Sequence, residues 1–322
     1  MEKYSQCDIF VVSLKNNLMP RFTEEQLNQM CRPASDSEEA KLQNAESIVK
    51  KALSSSSIIL SSKYEIFGQG SYANNTNIRL NSDIDINVCY IDAFYYDIPT
   101  NKTKSDYGLD NPVSYSFQAY KNDVEMMLVG FYGRSEVVRK NKCITIKGNT
   151  NRIEVDVVPT WKYRRYDNVS NTNFIEGVAL WADDSKYAKV TNYPKQHKVN
   201  GVAKNDESHR RFKRLTRIFK NIRVRMKDDK YYSNENITSF LLECLAFNVP
   251  TSIYNKNIST CSWNDILKDS IYYLWDNTKE EATKYNEWGE VSELLYLMKG
   301  HKWNRKDVHD YMYWMWNYLQ LG

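Results

Sequence analysis

Apolar positions recur at helical spacing near the start of the chain. Ser35 and Glu38 form a capping-box pattern, and Leu42, Ala45 and Val49 follow at intervals of three or four residues. After the serine run at 54–57 the period changes to short stretches rich in β-branched and aromatic residues, separated by Gly, Asn and Pro. This pattern predicts one mixed or antiparallel sheet, with strands near 64–67, 84–90, 126–131, 143–146 and 153–158.

From about residue 192 the pattern becomes helical again. The buried stripe of one helix is predicted to consist of Phe212, Leu215, Phe219, Ile222 and Met226, and further helices are predicted near 237–247, 263–275 and 307–321. The fold class predicted is α+β and bilobal, with a sheet followed by a helical lobe. We place the first domain, with the N-terminal helices and the sheet, at 1–190, and the helical lobe at 191–322.

The amino-acid composition narrows the possible functions only slightly. The 322 residues carry a net charge of +4, which is too small to indicate nucleic-acid binding by itself. Six cysteines without C-x-x-C spacing and four dispersed histidines predict reduced thiols and no zinc motif. The N-terminus does not resemble a secretion signal, and no window approaches ~18 apolar residues. A cytoplasmic protein without membrane association is therefore expected.

Aspartates on two predicted strands carry the candidate chemistry. Side chains alternate along a strand, so Asp83 and Asp85 project from one face while Ile84 lies on the other. Asp156 has similar surroundings in a later, valine-rich strand. Two divalent cations ~3.5 to 4 Å apart need anionic oxygen ligands on both sides. The three aspartates are therefore predicted catalytic residues and metal ligands.

The segment Gly70-Ser71 lies about a dozen residues before this pair, next to a predicted short helix. Glycine permits close approach of the backbone to a phosphate, and a helix N-terminus offers free N–H groups. Alone, a D-x-D pair is common on solvated strands, and a Gly-Ser pair is an ordinary turn. The combination with Asp156 is far more specific and indicates a triphosphate site.

With these motifs the chain resembles the nucleotidyltransferase superfamily of polymerase beta, poly(A) polymerases and oligoadenylate synthases. It is most similar to the cGAS/DncV-like nucleotidyltransferases (CD-NTases) of bacterial anti-phage (CBASS) signalling. The resemblance covers about residues 35–260. The segments that carry it are Gly70-Ser71-Tyr72-Ala73, Thr76-x-Ile78-Arg79, Ser82-Asp83-Ile84-Asp85, Val155-Asp156-Val157-Val158-Pro159, Asn192-Tyr193-Pro194-x-x-His197-x-x-Asn200, Lys220 in a basic helix and Thr238-Ser239-Phe240-Leu241-Leu242-Glu243.

The resemblance implies a polymerase-beta-like sheet that binds two Mg²⁺ (or Mn²⁺) ions and nucleoside triphosphates. It further implies that Gly70 and Ser71 bind the donor triphosphate and that Lys220 and Ser239 contact its phosphates. The activity implied is template-independent synthesis of a cyclic di- or trinucleotide second messenger with release of pyrophosphate. A downstream effector would be reached only through this product. No zinc-ribbon insertion is recognisable, so double-stranded DNA is not the expected activator.

Ten cations lie between Arg210 and Lys230, against only Asp228 and Asp229. They are compatible with a solvated helix face that includes triphosphate ligands, or with a surface that binds an activating RNA. Aromatic residues of the C-terminal helix have the spacing of core residues rather than of a base-stacking platform. Tyr72, Trp161 and Phe240 adjoin the motifs and are candidates for a nucleobase pocket, although packing explains them as well.

Three alternatives stay open at this point. A linear oligonucleotide or RNA-tailing nucleotidyltransferase would need an RNA primer. An enzyme that nucleotidylates small molecules or proteins usually has a smaller helical lobe, and an RNA-binding module with a degenerate fold would not need three aspartates. The sequence predicts a monomer. It does not specify the bases, ring size, linkage or activator, nor the role of the last sixty residues.

Overall fold

A computed structural model describes residues 19–33, 38–78, 84–150, 152–167, 170, 172–184, 189–256, 259–299 and 303–321. Helices and strands are mixed in the first half of the chain, and the elements described from residue 194 onward are helices. In chain order they are α1 (Glu24–Cys31), α2 (Glu38–Ser54), β1 (Tyr64–Gly68), α3 (Gly70–Ala73), β2 (Ile84–Asp97), α4 (Phe117–Tyr132), β3 (Val137–Arg139), β4 (Ile144–Ile146), β5 (Val155–Tyr166), β6 (Phe174–Trp181), β7 (Lys189–Asn192), α5 (Pro194–Glu207), α6 (Arg211–Asp228), α7 (Ser239–Asn248), α8 (Thr251–Tyr254), α9 (Trp263–Asp276) and α10 (Arg305–Leu319).

The seven strands form one mixed sheet, as predicted. Strands β2 and β5 are parallel neighbours, and every other pairing is antiparallel. The order is β1-β2-β5-β4-β3, and β6 pairs with the later part of β5 and with β7. Strand β5 is therefore central, with β2 along one side and β4 followed by β6 along the other.

One predicted strand is wrong. Residues 126–131 lie in helix α4, where Val124, Met127 and Leu128 are buried against the sheet. The short apolar run is compatible with either period, and the helical one is set by earlier residues. Ser116 caps the helix, since its hydroxyl accepts a hydrogen bond from Ala119 N at 3.1 Å. Strands β3, β6 and β7 were not predicted.

Two compact units divide the chain, residues 35–195 and residues 1–34 with 196–322. This grouping differs from the boundary at 190/191 in its treatment of α1. Leu27 of α1 is buried in the hydrophobic core of the helical unit. Two side chains of α6 bind the last carbonyls of α1: Arg217 Nε donates to Cys31 O at 2.5 Å and Asn221 Nδ2 donates to Met30 O at 3.2 Å. The capping residue predicted for α2, Ser35, lies outside the described residues.

Each unit has its own apolar core. In the sheet unit, α2 and α4 contribute Val49 and Leu128 to a cluster that includes Ile84 and Val157 of the strands. In the helical unit, the whole predicted stripe of α6 is buried, which confirms it. None of the helices in the described ranges has the length and apolar character needed to cross a bilayer.

Candidate active site

A row of polar side chains crosses three strands of the sheet. Asp85 of β2 is in register with Asp156 of β5, and Asp156 is in register with Thr145 of β4. Adjacent strands are about 4.8 Å apart, and side chains in register project from the same face. Ile84 and Ile86 are fully buried in the core on the opposite face. The alternation predicted from the sequence therefore brings two of the three aspartates together, while Asp83 lies outside the described residues.

Gly70 lies directly against this row. Its φ is +70°, a conformation that side chains disfavour, and a Cβ at this position would collide with the carboxylate of Asp85. The backbone also joins the two segments, since Gln69 N donates to Asp85 O at 3.0 Å. Ser71 follows in the four-residue helix α3. Only glycine lets the predicted phosphate-binding segment approach the carboxylate this closely.

A buried amide, which the sequence did not single out, connects the same segments. Asn87 is fully buried, and its Nδ2 donates to Gln69 Oε1 at 2.9 Å. Its Oδ1 accepts from Thr160 Oγ1 at 2.7 Å. Asn87 thus fixes the residue before Gly70 and ties β2 to β5. The only available signal was a polar residue in an otherwise apolar strand, which is a weak one.

Asp156 is surrounded by hydrogen-bond donors. Thr145 Oγ1 donates to its Oδ1, and Lys140 Nζ lies 3.2 Å from Oδ1 and 3.5 Å from Oδ2. Burial and the charge of Asp156 raise the pKa of the nearby Cys143 thiol to about 12, so it stays neutral. The sequence missed all three neighbours, because they lie on a hairpin more than ten residues from Asp156 in the chain.

Lys220 and Ser239, the other predicted ligands, belong to the helical unit. Lys220 Nζ donates to Glu243 Oε2 at 2.9 Å, and His197 Nε2 lies 3.0 Å from Glu243 Oε1. Burial alone would raise the pKa of Glu243, but the charge of Lys220 and the hydrogen bond with His197 hold it well below its ordinary value. Ser239 is exposed at the first turn of α7, after the capping residue Thr238.

Comparisons with known proteins support the same interpretation. A sequence profile of the cGAS/DncV-like nucleotidyltransferase C-terminal helical domain matches residues 199–320. A cyclic dipyrimidine nucleotide synthase, CdnE, from Cecembia lonarensis is 52% identical over 304 residues, or 94% of this chain and 100% of that protein. A cyclic dipurine nucleotide synthase from Elizabethkingia meningoseptica is 35% identical over 92% of this chain and 98% of that protein. This chain belongs to the cGAS/DncV-like nucleotidyltransferases.

Solved structures agree with this assignment. The CdnE cyclic dinucleotide synthase of Elizabethkingia meningoseptica, with GTP and Apcpp, matches with a TM-score of 0.76 at 32% identity and covers 93% of this chain and 99% of that one. The c-UMP-AMP synthase CdnE of Rhodothermus marinus, with Apcpp and Upnpp, has a TM-score of 0.78 at 26% identity over 91% and 95%. The predicted family, fold class and enzyme class are confirmed. The roles of the individual residues stay predictions.

The basic helix of this nucleotidyltransferase is less exposed than its composition indicated. Lys220 and Arg217 are buried, and Arg217 binds the end of α1. Arg217 therefore does not contribute to an exposed basic surface. The exposed cations of the segment are Arg210, Arg214, Arg225, Lys227 and Lys230.

The aromatic candidates fall into two groups. Tyr311, Trp316 and Tyr318 are buried in the core of the helical unit, as predicted for the C-terminal helix, whereas Trp314 of the same helix is exposed. Tyr72 and Trp161 are buried in the core of the sheet unit. Among the three candidates for the nucleobase pocket, Phe240 alone is exposed, and its ring stacks on Trp303 with centroids 5.6 Å apart. Burial makes packing the first role of Tyr72 and Trp161.

Proposed function

We propose that this nucleotidyltransferase joins two nucleoside triphosphates into a cyclic dinucleotide, with release of pyrophosphate. The observation that carries the proposal is the register of Asp85 with Asp156, with Gly70 packed against Asp85. Relatives that match nearly the full chain are cyclic dinucleotide synthases by name. Because the relative at 52% identity is a cyclic dipyrimidine nucleotide synthase, we expect UTP and CTP to be preferred.

The carboxylate row fits divalent cations. In register, Asp85 and Asp156 offer hard oxygen ligands on one face of the sheet, as Mg²⁺ and Mn²⁺ require. Within the described ranges no group of three or more His, Cys, Asp and Glu is placed to hold a metal, so the proposed set includes Asp83 from outside them. When bound, two cations would lower the pKa of the attacking ribose hydroxyl and neutralise charge on the triphosphate.

We assign a different proposed role in nucleotide binding to each of several residues. Gly70 lets backbone N–H groups reach the donor phosphates, and Ser71 adds its hydroxyl. Asn87 holds Gln69, and with it this segment, in position before nucleotide binds. Lys220 and Ser239 contact the donor phosphates by the family resemblance. Ser71→Ala and Ser239→Ala are then expected to raise the Michaelis constant for nucleotide several-fold, and wild-type kinetics would remove either residue from the site.

Identifying the product tests the function. The protein is incubated with Mg²⁺ and with each nucleotide triphosphate alone and in pairs, and the products are weighed by mass spectrometry before and after phosphatase treatment. A cyclic dinucleotide has no terminal phosphate and resists phosphatase, whereas a linear product loses the mass of its terminal phosphates. A phosphatase-sensitive ladder would favour the linear or tailing alternative. A product made only from purine triphosphates would contradict the pyrimidine preference.

Activation by RNA stays a prediction on the exposed cations of the 210–230 segment. Clustered cations bind phosphates with a strong dependence on salt. Arg210→Glu with Arg214→Glu is the appropriate variant, because Arg217→Glu would also break the contact with α1. Stimulation by RNA should be lost and basal turnover kept. Full activity without RNA, and no RNA binding, would leave these cations as a solvated surface. The cytoplasmic location and the monomeric state likewise stay predictions.

A further inference from the structure

Lys140 lies beside Asp156, a proposed metal ligand. Its ammonium group lies 3.2 Å from Asp156 Oδ1 and 3.5 Å from Oδ2. Thr145 Oγ1 also donates to Oδ1. Both carboxylate oxygens are therefore in contact with donors. A divalent cation that binds Asp156 through either oxygen must compete with these contacts.

The buried ammonium group of Lys121 holds the backbone of the turn that carries Lys140. Lys121 of α4 is fully buried and donates to Asn141 O at 2.7 Å and to Lys140 O at 3.4 Å. Its third donor pairs with Asp183 Oδ1 at 3.0 Å. Since an ammonium group has three donors, Lys121 is fully satisfied by these three partners. The backbone of Lys140 is thus held by a group that is buried and paired.

Asn141 fixes the same turn from the other side. Its backbone carbonyl accepts from Asp183 N at 3.0 Å. Its side chain forms two further bonds with Asp184, from Nδ2 to Oδ2 at 2.8 Å and from Asp184 N to Oδ1 at 3.1 Å. The backbone at Lys140 is therefore rigid, while 43% of its side chain is exposed. A flexible ammonium group on a fixed base can leave the carboxylate and return to it.

We propose that Lys140 is a built-in competitor of the divalent cation at Asp156, and so raises the metal concentration that the carboxylate row requires. This inference rests on the proposed function, because it takes Asp156 as a metal ligand. The ammonium group supplies one positive charge and neutralises the carboxylate, and a cation must displace it. Lys140 acts through Asp156 and is a positioning residue rather than a catalytic one.

Direct binding of MnCl₂ tests the proposal without catalysis. The full chain is stripped with EDTA, and Mn²⁺ binding is followed by electron paramagnetic resonance without nucleotide. Lys140→Gln should bind Mn²⁺ about fivefold more tightly than the wild type, the range of a partly exposed ion pair. Lys140→Arg keeps the charge and should restore wild-type affinity. Lys142→Gln, an exposed lysine of the same turn, is the matched control and should match the wild type.

The outcomes separate this proposal from the proposed function. If the wild type binds Mn²⁺ and Lys140→Gln binds it equally well, Lys140 does not compete and the inference is wrong. If neither binds Mn²⁺, the proposed metal site fails, and the inference fails with it. Binding by Lys140→Gln alone would support both. In the Asp156→Asn background, Lys140→Gln should add nothing, since the carboxylate charge through which it acts is gone; a further gain there would contradict the mechanism.

Discussion

Two lysine–carboxylate pairs of this protein have similar distances between charged atoms, but one pair is buried and the other is partly exposed to water. Lys220 lies 2.9 Å from Glu243 in the helical unit, where only 3% and 5% of their side chains are exposed. Lys140 lies 3.2 Å from Asp156 in the sheet unit, where 43% and 13% are exposed. The distances differ by a few tenths of an ångström, whereas the access of water differs greatly.

Burial, rather than distance, separates a structural pair from an exchangeable one. Separating Lys220 from Glu243 would leave a charge in an apolar interior, which is strongly unfavourable. Separating Lys140 from Asp156 costs little, because water and other cations can replace the lost contact. The carboxylate that we propose to accept a cation is paired with a lysine whose side chain is 43% exposed. The carboxylate of Glu243, which links three helices, is buried with its two partners, Lys220 and His197.

The largest expected effect is on catalysis. Asp85→Ala and Asp156→Ala should each lower kcat at least about a thousandfold, because each removes a charged oxygen that we propose as a metal ligand for phosphoryl transfer. Asp83→Ala should lower kcat to a similar extent, because Asp83 belongs to the proposed set of three metal ligands. Product is measured by mass spectrometry at saturating nucleotide.

The control for this prediction is Asp92→Ala. Asp92 lies on the same strand but pairs with Lys63 at 2.8 Å, outside the carboxylate row. It should keep nearly full activity. The thermal midpoint of Asp85→Ala in EDTA should be no lower than that of the wild type, because removing one of two neighbouring carboxylates relieves repulsion. Substantial turnover by an Asp85→Ala/Asp156→Ala double variant would end the two-metal interpretation.

The second effect is on stability and concerns the buried pair. Lys220→Met should lower the free energy of unfolding by about 3 to 5 kcal/mol, because it leaves Glu243 buried without its main counter-charge. Urea unfolding without nucleotide measures this. Lys227→Met, an exposed lysine of the same helix, should change little. The Lys220→Met/Glu243→Gln variant should recover part of the loss, and a double variant no better than the single one would contradict the explanation.

The same pair predicts sensitivity to acid. The pKa of Glu243 lies well below its ordinary value of 4.5 in the folded protein. Its ionised form is therefore the one that the fold favours, and its contribution is fully present above about pH 4.5. The contribution is lost as the pH falls below that value, since the unfolded chain then binds a proton that the folded chain refuses. Urea unfolding between pH 6 and pH 3 should show this loss, and Glu243→Gln should show less of it.

A third effect comes from a buried carboxylate with the opposite shift. Burial raises the pKa of Glu290 to about 7, against a smaller opposing effect of His197. Because the folded chain holds this proton more tightly than the unfolded one, stability should fall as the pH rises from about 4.5 to about 7. Glu290→Gln removes the ionisation and should be more stable than the wild type at pH 8, by on the order of 2 kcal/mol. At pH 4 the two should be nearly equal.

The control here is Glu281→Gln, at an exposed carboxylate of the same unit. It should leave the difference in stability between pH 5 and pH 8 unchanged. A Glu290→Gln variant with the full pH dependence of the wild type would show that another group is responsible.

The sequence predicted features that depend on neighbouring residues in the chain, and it missed features that depend on contacts between distant segments. The alternation along β2 and β5 is a local property, so the sequence predicted that each aspartate projects from the face opposite the apolar residues of its own strand. Their register across two distant strands was inferred only from the kind of chemistry. Lys140 was missed because a hairpin brings it to Asp156 from 16 residues away. Asn87 was missed because its role depends on partners in two other segments.

In the helical half, the number of cations in a helix did not predict which of them are exposed. Periodicity located α6 and its apolar stripe, but a cation next to that stripe can turn inward when a partner is available. Arg217 finds the carbonyl of Cys31 and Lys220 finds Glu243. Neither partner is visible from the pattern of one helix, since they lie 186 and 23 residues away. The boundary at 190/191 groups α1 with the sheet, whereas Leu27 of α1 is buried in the core of the helical unit, a long-range contact that no local pattern encodes.

The smallest effect is expected at a third lysine–carboxylate pair, which completes the comparison. Lys227 lies 3.2 Å from Glu235, with 59% and 78% of their side chains exposed. The distance equals that between Lys140 and Asp156, but both side chains of this third pair are more exposed. Lys227→Gln should change the free energy of unfolding by less than about 0.5 kcal/mol, because water already screens the pair. A loss close to that of Lys220→Met, measured by the same urea titration, would contradict the argument that burial rather than distance sets the strength of these pairs.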